Sequence, residues 1–187
     1  QGRRQPGSSF KPIIYAAAFE KGYTPDTLLF DVLTNFAVSG DEYRPHNYDD
    51  KEHGAVTMRE ALQRSFNIPA VETMYLVGLD QSISFAERLG YTTLSKGSFG
   101  LSLVLGGGEV KLLDHVSAYG VFANNGVRHA PVSILKVEDG SRDIIMEWKP
   151  RRGEQALDEK ITAMLSNVLS DDAARAPTFG AGGVLTL

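Results

Sequence analysis

The stretch Gly7-Ser8-Ser9-Phe10-Lys11-Pro12 lies near the start of the 187-residue chain, and the apolar run Ile13–Phe19 follows it. Proline is tolerated in a helix only within the first turn, so Pro12 predicts that a helix begins just before it. The apolar run carries that helix to Gly22, a typical helix stop. The sequence therefore predicts a buried helix that begins near Ser8.

Ser8 and Lys11 are three positions apart, a spacing that places both side chains on one face of a helix. Lys11 could then reach the Ser8 hydroxyl as a base. The Ser8 backbone N–H would lie among the unpaired donors at the positive end of the helix. One short segment would thus supply nucleophile, base and half of an oxyanion hole. Taken alone, the segment leaves open that Ser8 caps a buried helix and that Lys11 is solvated.

A second serine–lysine pair with the same spacing is Ser133 and Lys136. It lies in a stretch rich in β-branched and apolar residues, before the turn signal Asp139-Gly140, which predicts a strand. Side chains three positions apart on a strand point to opposite faces. We therefore expect no cooperation between Ser133 and Lys136.

A further motif, Ser65-Phe66-Asn67, lies between two predicted helices. Thr57 and Glu60 form a capping box that opens the first helix. Pro69 requires that helix to end before it and suits the first turn of the next helix, 70–77. The motif therefore falls at a joint where polar side chains can project into a cleft. The alternative is that Ser65 and Asn67 are ordinary helix-end residues that bond to nearby backbone.

The rest of the chain indicates scaffold. Periodicity and end signals predict helices over 80–89, 110–124 and 158–169. A hairpin is predicted with strands 132–138 and 143–148.

Composition excludes several classes of function. A net charge of −4 and a pI near 5.6 argue against nucleic-acid binding. The chain has no cysteine, which excludes disulfides and thiol catalysis, and its four histidines lack ligand spacing, so no metal or cofactor is expected. No apolar run of membrane-spanning length occurs. Gly106-Gly107-Gly108 lacks a phosphate-loop pattern and indicates a turn before a helix. His46 and Asn47 flank a loop that could line the cleft, and the default interpretation is that both are polar residues exposed at the surface.

Several segments, in order, resemble the transpeptidase domain of class A penicillin-binding proteins. The resemblance extends from about Arg4 to Asn167. The segments that carry it are 4–12, 43–49, 54–71, 103–106, 109–110, 118–119 and 122–126.

The resemblance implies an α+β fold. This chain would hold a predominantly helical lobe plus a small β-hairpin of the serine β-lactamase/D,D-transpeptidase fold, with the central antiparallel sheet largely missing. Residues 1–187 would form one incomplete domain, because the chain resembles a longer protein cut at both ends. A lobe without its sheet leaves an apolar face uncovered.

The resemblance also implies a chemistry, the cross-linking of peptidoglycan. Ser8 would attack the penultimate D-Ala of a stem peptide ending in D-Ala-D-Ala, and β-lactams would acylate the same serine. Lys11 would be the base, Ser65 would relay a proton to the departing amine, and Asn67 would bind the substrate's peptide group. The family's third motif, K-T-G, would supply a carboxylate contact and the second oxyanion donor. No K-T-G, K-S-G or H-T-G occurs here, so we expect the isolated chain to be inactive.

The parent protein would carry a glycosyltransferase domain and a membrane anchor, and it would work at the extracytoplasmic face of the bacterial membrane. Two alternatives stay open. One is a serine β-lactamase or D-Ala-D-Ala carboxypeptidase, in which water replaces the acceptor amine, although no glutamate stands out to activate that water. The other is a non-catalytic β-lactam-sensing domain or inert lobe.

Overall fold

The structure is a computed structural model that describes residues 2–37, 40, 42–94, 97 and 99–183. Helices dominate these residues. The α-helices are α1 Lys11–Glu20, α2 Met58–Gln63, α3 Ile68–Val77, α4 Leu79–Leu89, α5 Leu112–Ala123, α6 Glu159–Leu169 and α7 Asp172–Phe179, and two 3₁₀ helices span Gly7–Phe10 and Leu101–Leu105. The strands are β1 Arg3–Arg4, β2 Leu28–Asp31, β3 Gly54–Thr57, β4 Val110–Lys111, β5 Val127–Arg128, β6 Lys136–Glu138, β7 Ile144–Glu147 and β8 Glu154–Gln155.

Helix α1 forms the centre of the core. Every residue from Lys11 to Phe19 is buried, so the helix is covered on all sides by other elements. It packs against α2, α3, α4 and α6. The predicted buried helix is therefore confirmed, with one difference. The α-helix begins at Lys11, and Ser8 lies in the 3₁₀ helix that precedes it.

The strands form four separate antiparallel pairs: β1 with β4, β2 with β3, β5 with β8, and β6 with β7. Within the described part of the chain each sheet has only two strands. The α+β class and the helical lobe with small antiparallel sheets agree with the sequence-based prediction. The prediction of a single hairpin was incomplete, because three of the four pairs join strands that are distant in sequence.

The observed elements differ from the predicted ones at several places. Val110–Lys111 is strand β4 rather than the start of a helix, because it pairs with Arg3–Arg4. Helix α7 was not predicted. Ser133 lies in an exposed bend before β6 rather than in a strand, although the hairpin itself, β6–β7, is confirmed.

Candidate active site

Ser8 lies in the first turn of the 3₁₀ helix Gly7–Phe10, with an exposed side chain. Lys11 follows this 3₁₀ helix as the first residue of α1. Its amine is bonded to Ser65 and Asn67, and no hydrogen bond joins it to Ser8 Oγ among the described residues. The residue before the helix is Pro6, and no side chain caps its end. The alternative in which Ser8 serves as a helix cap is therefore wrong. Its N–H, in the first turn, has no acceptor within the helix.

Lys11 is buried, with 1% of its surface exposed. Its amine donates to three oxygens: the Ser65 carbonyl at 2.6 Å, Asn67 Oδ1 at 2.8 Å and Ser65 Oγ at 3.1 Å. The alternative of a solvated lysine is wrong. The structure thus brings together one residue of the first motif and two of the second, 54 and 56 positions away along the chain.

Two opposing effects act on the Lys11 amine. Burial lowers its pKa from 10.5 to about 7, because a charged amine loses hydration inside the protein. The three accepting oxygens match the three hydrogens of an ammonium ion. Both the neutral and the charged form are therefore accessible near neutral pH, which is what a group that takes up and returns a proton requires.

Ser65 has a left-handed backbone, with φ of 57°. It occupies the position after the C-cap of α2, where glycine is usual. The Ser65 N–H bonds to the Leu62 carbonyl and the Phe66 N–H to the Ala61 carbonyl, the two bonds of a Schellman motif. This turn directs both the carbonyl and the hydroxyl of Ser65 at the Lys11 amine. The C-terminal end of α2 thus supplies two of the three oxygens that accept from Lys11.

Asn67 is held from three sides. Its Oδ1 accepts from Lys11, its Nδ2 donates to the His46 carbonyl at 2.8 Å, and its backbone N–H donates to Asn47 Oδ1 at 2.8 Å. An amide nitrogen carries two hydrogens, so one bond to His46 leaves a second hydrogen for a further acceptor. Asn67 also leads into α3, with Pro69 in the first turn of that helix, as predicted.

A buried network of polar side chains holds the joint between α2 and α3, and the sequence did not predict it. Asn47 is 4% exposed and Asp31 is fully buried. Both Asp31 carboxylate oxygens accept from Asn47 Nδ2 at 2.8 Å, and Asp31 Oδ2 also contacts His53 Nδ1 at 2.6 Å. The His53 ring stacks on Phe66 with centroids 4.1 Å apart. Asp31 therefore fixes Asn47, which in turn holds the backbone of Asn67.

One signal in the sequence could have drawn attention to part of the network. The stretch Leu28-Leu29-Phe30-Asp31 shows no alternation of polar and apolar residues, so only the structure places Asp31 on the buried face of β2. Asn47 lies inside the stretch 43–49, which carried part of the family resemblance. The default interpretation, in which Asn47 is exposed at the surface, was wrong, because the residue is buried.

Comparison with known proteins identifies the family. The family model "Penicillin binding protein transpeptidase domain" matches residues 1–184. The chain belongs to this transpeptidase family. It is 32% identical over 178 residues to penicillin-binding protein 1A of Neisseria lactamica, and 32% identical over 173 residues to penicillin-binding protein 2D of Bacillus subtilis. Each alignment includes 91% of this chain but only 22% and 25% of the respective relative.

Solved structures show the same fold for this penicillin-binding transpeptidase chain. Penicillin-binding protein 1A from Haemophilus influenzae matches 98% of it with a TM-score of 0.86 at 24% identity, which is 31% of that protein's chain. PonA1 from Mycobacterium tuberculosis matches 98% of it with a TM-score of 0.83 at 20% identity, or 51% of that chain. The resemblance to class A penicillin-binding proteins is thereby confirmed.

Other predictions for this transpeptidase-family chain concern the second serine–lysine pair, metals and membranes. Lys136 forms an ion pair with Glu138 on the exposed hairpin, and Ser133 is exposed, so neither belongs to the site. Among the residues that the structure describes, no three histidine or acidic residues are placed to hold a metal ion. No helix in that part of the chain has the length and apolar character needed to cross a bilayer. The catalytic roles of Ser8, Lys11 and Ser65 and the binding role of Asn67 stay predictions.

Proposed function

We propose that this chain is part of a peptidoglycan D,D-transpeptidase that works through an acyl-enzyme on Ser8. The observation that carries the proposal is the Lys11 amine, buried among Ser65 and Asn67 oxygens one turn from an exposed serine. Family membership adds support. A relative of the same fold, penicillin-binding protein A of M. tuberculosis, has been solved as an imipenem acyl-enzyme complex, and PonA1 in complex with penicillin V.

In the proposed first step, Ser8 Oγ attacks the carbonyl carbon of the penultimate D-Ala while its proton passes to neutral Lys11. The oxyanion accepts from the Ser8 N–H. The C–N bond to the terminal D-Ala then breaks, and the departing amine takes a proton relayed from Lys11 through Ser65. The 3.1 Å distance between Lys11 Nζ and Ser65 Oγ suits that transfer. The second hydrogen on Asn67 Nδ2 would donate to a carbonyl of the stem peptide.

In the second step, the amine of a neighbouring stem peptide attacks the ester on Ser8. The amine loses a proton, Ser8 regains one, and the cross-link is formed. β-Lactams would acylate Ser8 in place of the stem peptide, with the ring amide broken instead of the D-Ala-D-Ala bond. We propose these as the partners of the whole protein, together with a glycosyltransferase domain, a membrane anchor and an extracytoplasmic location. We further propose that residues 1–187 are one part of a single transpeptidase domain.

The test uses the full-length protein and a fluorescent penicillin. Wild type should be labelled covalently, Ser8→Ala should not, and the matched variant Ser133→Ala should be labelled like wild type. Mass spectrometry should place the adduct on Ser8. Incubation with a peptide ending in D-Ala-D-Ala and an acceptor amine should give the cross-linked product. Hydrolysed peptide alone would indicate a carboxypeptidase, and labelling that persists in Ser8→Ala would overturn the proposal.

We expect the 187 residues by themselves to be inactive. They contain no K-T-G, K-S-G or H-T-G, the motif to which the family resemblance assigns the second oxyanion donor and the carboxylate contact. Loss of one oxyanion donor costs about 10²- to 10³-fold in rate. The same fluorescent penicillin provides the measurement. Stable labelling of the 187-residue chain that disappears in its Ser8→Ala variant would contradict this expectation.

A further inference from the structure

A second chain of hydrogen bonds reaches the turn that carries Ser8. Tyr91 OH lies 2.7 Å from His115 Nδ1, and His115 Nε2 lies 3.0 Å from Ser9 Oγ. Ser9 Oγ in turn donates to the Pro6 carbonyl at 2.6 Å. The S-x-x-K and S-x-N patterns specify none of these residues, since Ser9 is an unspecified position of the first, yet Pro6 and Ser9 lie on either side of Ser8.

The donors along this chain can be ordered in only one way. The single hydrogen of the Ser9 hydroxyl is directed at the Pro6 carbonyl, so Ser9 Oγ must accept from His115 Nε2–H. Burial raises the pKa of the Tyr91 phenol, which therefore stays protonated and donates to His115 Nδ1. Burial also lowers the pKa of His115, which keeps its ring neutral at pH 7. His115 is thus fixed as the Nε2–H tautomer.

Contacts around the ring hold this arrangement in place. Tyr91 meets the His115 ring edge-on with centroids 5.9 Å apart, and the centroid of Tyr119 lies 5.2 Å from that of His115. Tyr119 OH donates to the Ser9 carbonyl at 2.7 Å. Two charged residues on the neighbouring stretch of the chain, Asp114 and Lys111, both bond to Thr92. Helix α5 therefore contacts the turn that carries Ser8 at two points: His115 bonds to the hydroxyl of Ser9, and Tyr119 bonds to its carbonyl.

We propose that His115 is a positioning residue for the Ser8 nucleophile, with Tyr91 as the residue that sets its tautomer. In the Nε2–H form, His115 directs the Ser9 hydroxyl onto the Pro6 carbonyl. This bond closes the turn around Gly7, whose φ is +59°, and so fixes the direction of Ser8. With the opposite tautomer, Nε2 would compete with the Pro6 carbonyl for the Ser9 hydrogen. The inference rests on the proposed function of Ser8.

The first test measures the rate constant of β-lactam acylation in the full-length protein. His115→Leu removes both bonds, and we expect it to lower the acylation rate roughly 10- to 100-fold, since small misplacements of reacting groups have effects of this size. His115→Gln keeps an N–H donor toward Ser9 and should stay within about threefold of wild type. The acylation rate of Tyr91→Phe should lie between those of His115→Leu and His115→Gln. The matched controls, His129→Leu and Tyr75→Phe, change exposed residues and should act like wild type.

Thermal unfolding of the same proteins separates positioning from folding. A merely structural role would slow His115→Gln and His115→Leu in proportion to their loss of stability. The proposal requires His115→Gln to restore the acylation rate even where its unfolding temperature matches that of His115→Leu. Equal acylation rates for the two variants, whether both slow or both like wild type, would overturn it.

A spectroscopic test decides the tautomer independently of activity. Nitrogen-15 labelling of the histidines allows the His115 signal to be assigned by its loss in His115→Gln. We expect a neutral Nε2–H signal in wild type and a mixture of tautomers in Tyr91→Phe. An Nδ1–H signal in wild type would overturn the relay. If Ser8 is not acylated at all, the proposed function fails, and the tautomer measurement still decides whether the relay exists.

Discussion

At the scale of the residue, Ser65 combines a proposed role in proton transfer with an unfavourable backbone conformation. A left-handed φ costs a residue with a Cβ roughly 1–2 kcal/mol, and glycine avoids that cost. Serine incurs this cost where its hydroxyl lies 3.1 Å from the Lys11 amine, as the proposed proton relay requires. Strain of this kind is frequent at functional sites.

The first prediction compares Ser65→Gly with Ser65→Ala. Both remove the hydroxyl, so both should slow β-lactam acylation strongly. Only glycine relieves the left-handed backbone, so the free energy of unfolding of Ser65→Gly should exceed that of Ser65→Ala by about 1 kcal/mol. Denaturant unfolding measures the difference. Equal stability of the two variants would mean that the φ of 57° carries no cost here.

The second prediction concerns pH and Lys11. The base must be neutral to accept the Ser8 proton, and its pKa is about 7. The neutral fraction, and with it the acylation rate, should therefore rise with pH and level off above that value; two units below it, about 1% of the molecules would be competent. A rate profile between pH 5 and pH 9 measures this. Burial lowers the pKa of His115, so titration of this residue should not cause the change in rate near pH 7. The His115→Gln variant should therefore show the same rise in acylation rate with pH. A flat profile would exclude Lys11 as the base.

Motif spacing predicted four candidate residues, whose roles stay predictions, but it did not predict what surrounds them. The spacing of Ser8 and Lys11 gave no information on burial, because the exposure of Lys11 depends on the α2–α3 joint that covers it. Asp31 and Asn47 were missed for a related reason. Their contacts join segments about 16 to 20 positions apart, and no local pattern encodes such a pairing.

At the scale of the element, local signals succeeded where a cap or a proline was decisive. The capping box of Thr57 and Glu60 has both of its bonds in the structure. Strand β4 shows the opposite case, because its identity comes from β1, more than 100 residues earlier in the chain. Helix α7 was missed because it has no fully buried residue and contains Pro177 inside it, so neither periodicity nor composition marks it.

The second 3₁₀ helix, Leu101–Leu105, ends at Gly106, which packs directly on the nucleophile turn. A side chain at Gly106 would overlap the backbone of Gly7, and its φ of +88° disfavours any residue with a Cβ. The glycine run that the sequence marked only as a turn before a helix therefore also shapes the site.

The third prediction is that Gly106→Ala displaces the turn that carries Ser8. We expect it to lower the acylation rate by at least about tenfold and to destabilise the fold by roughly 1–3 kcal/mol, through overlap and backbone strain. Gly100→Ala is the matched control, since it has open space and a φ of −115°. Similar behaviour of the two variants would mean that the contact of Gly106 with Gly7 does not hold the turn.

At the scale of the whole molecule, helix α5 joins the site to an exposed apolar face. One part of α5 carries His115 and Tyr119, which hold the nucleophile turn. Another part exposes Leu112 by 74%, Leu113 by 45% and Val116 by 59%. Contiguous apolar surfaces of this kind mark interaction sites or aggregation-prone regions. An uncovered apolar face was expected in this helical lobe, and these residues of α5 form an exposed apolar surface of that kind.

The fourth prediction is that the 187-residue chain self-associates through this face of α5. Replacing Leu112, Leu113 and Val116 together by glutamine should shift it toward monomer in sedimentation velocity, because the contiguous apolar surface is removed. Its unfolding free energy should change little, since exposed substitutions seldom exceed about 0.5 kcal/mol each. The control replaces 144–146 on β7, which are apolar and exposed to a similar degree, by glutamine. It should leave self-association intact, and equal loss in both variants would show that general exposure, rather than the α5 face, drives association.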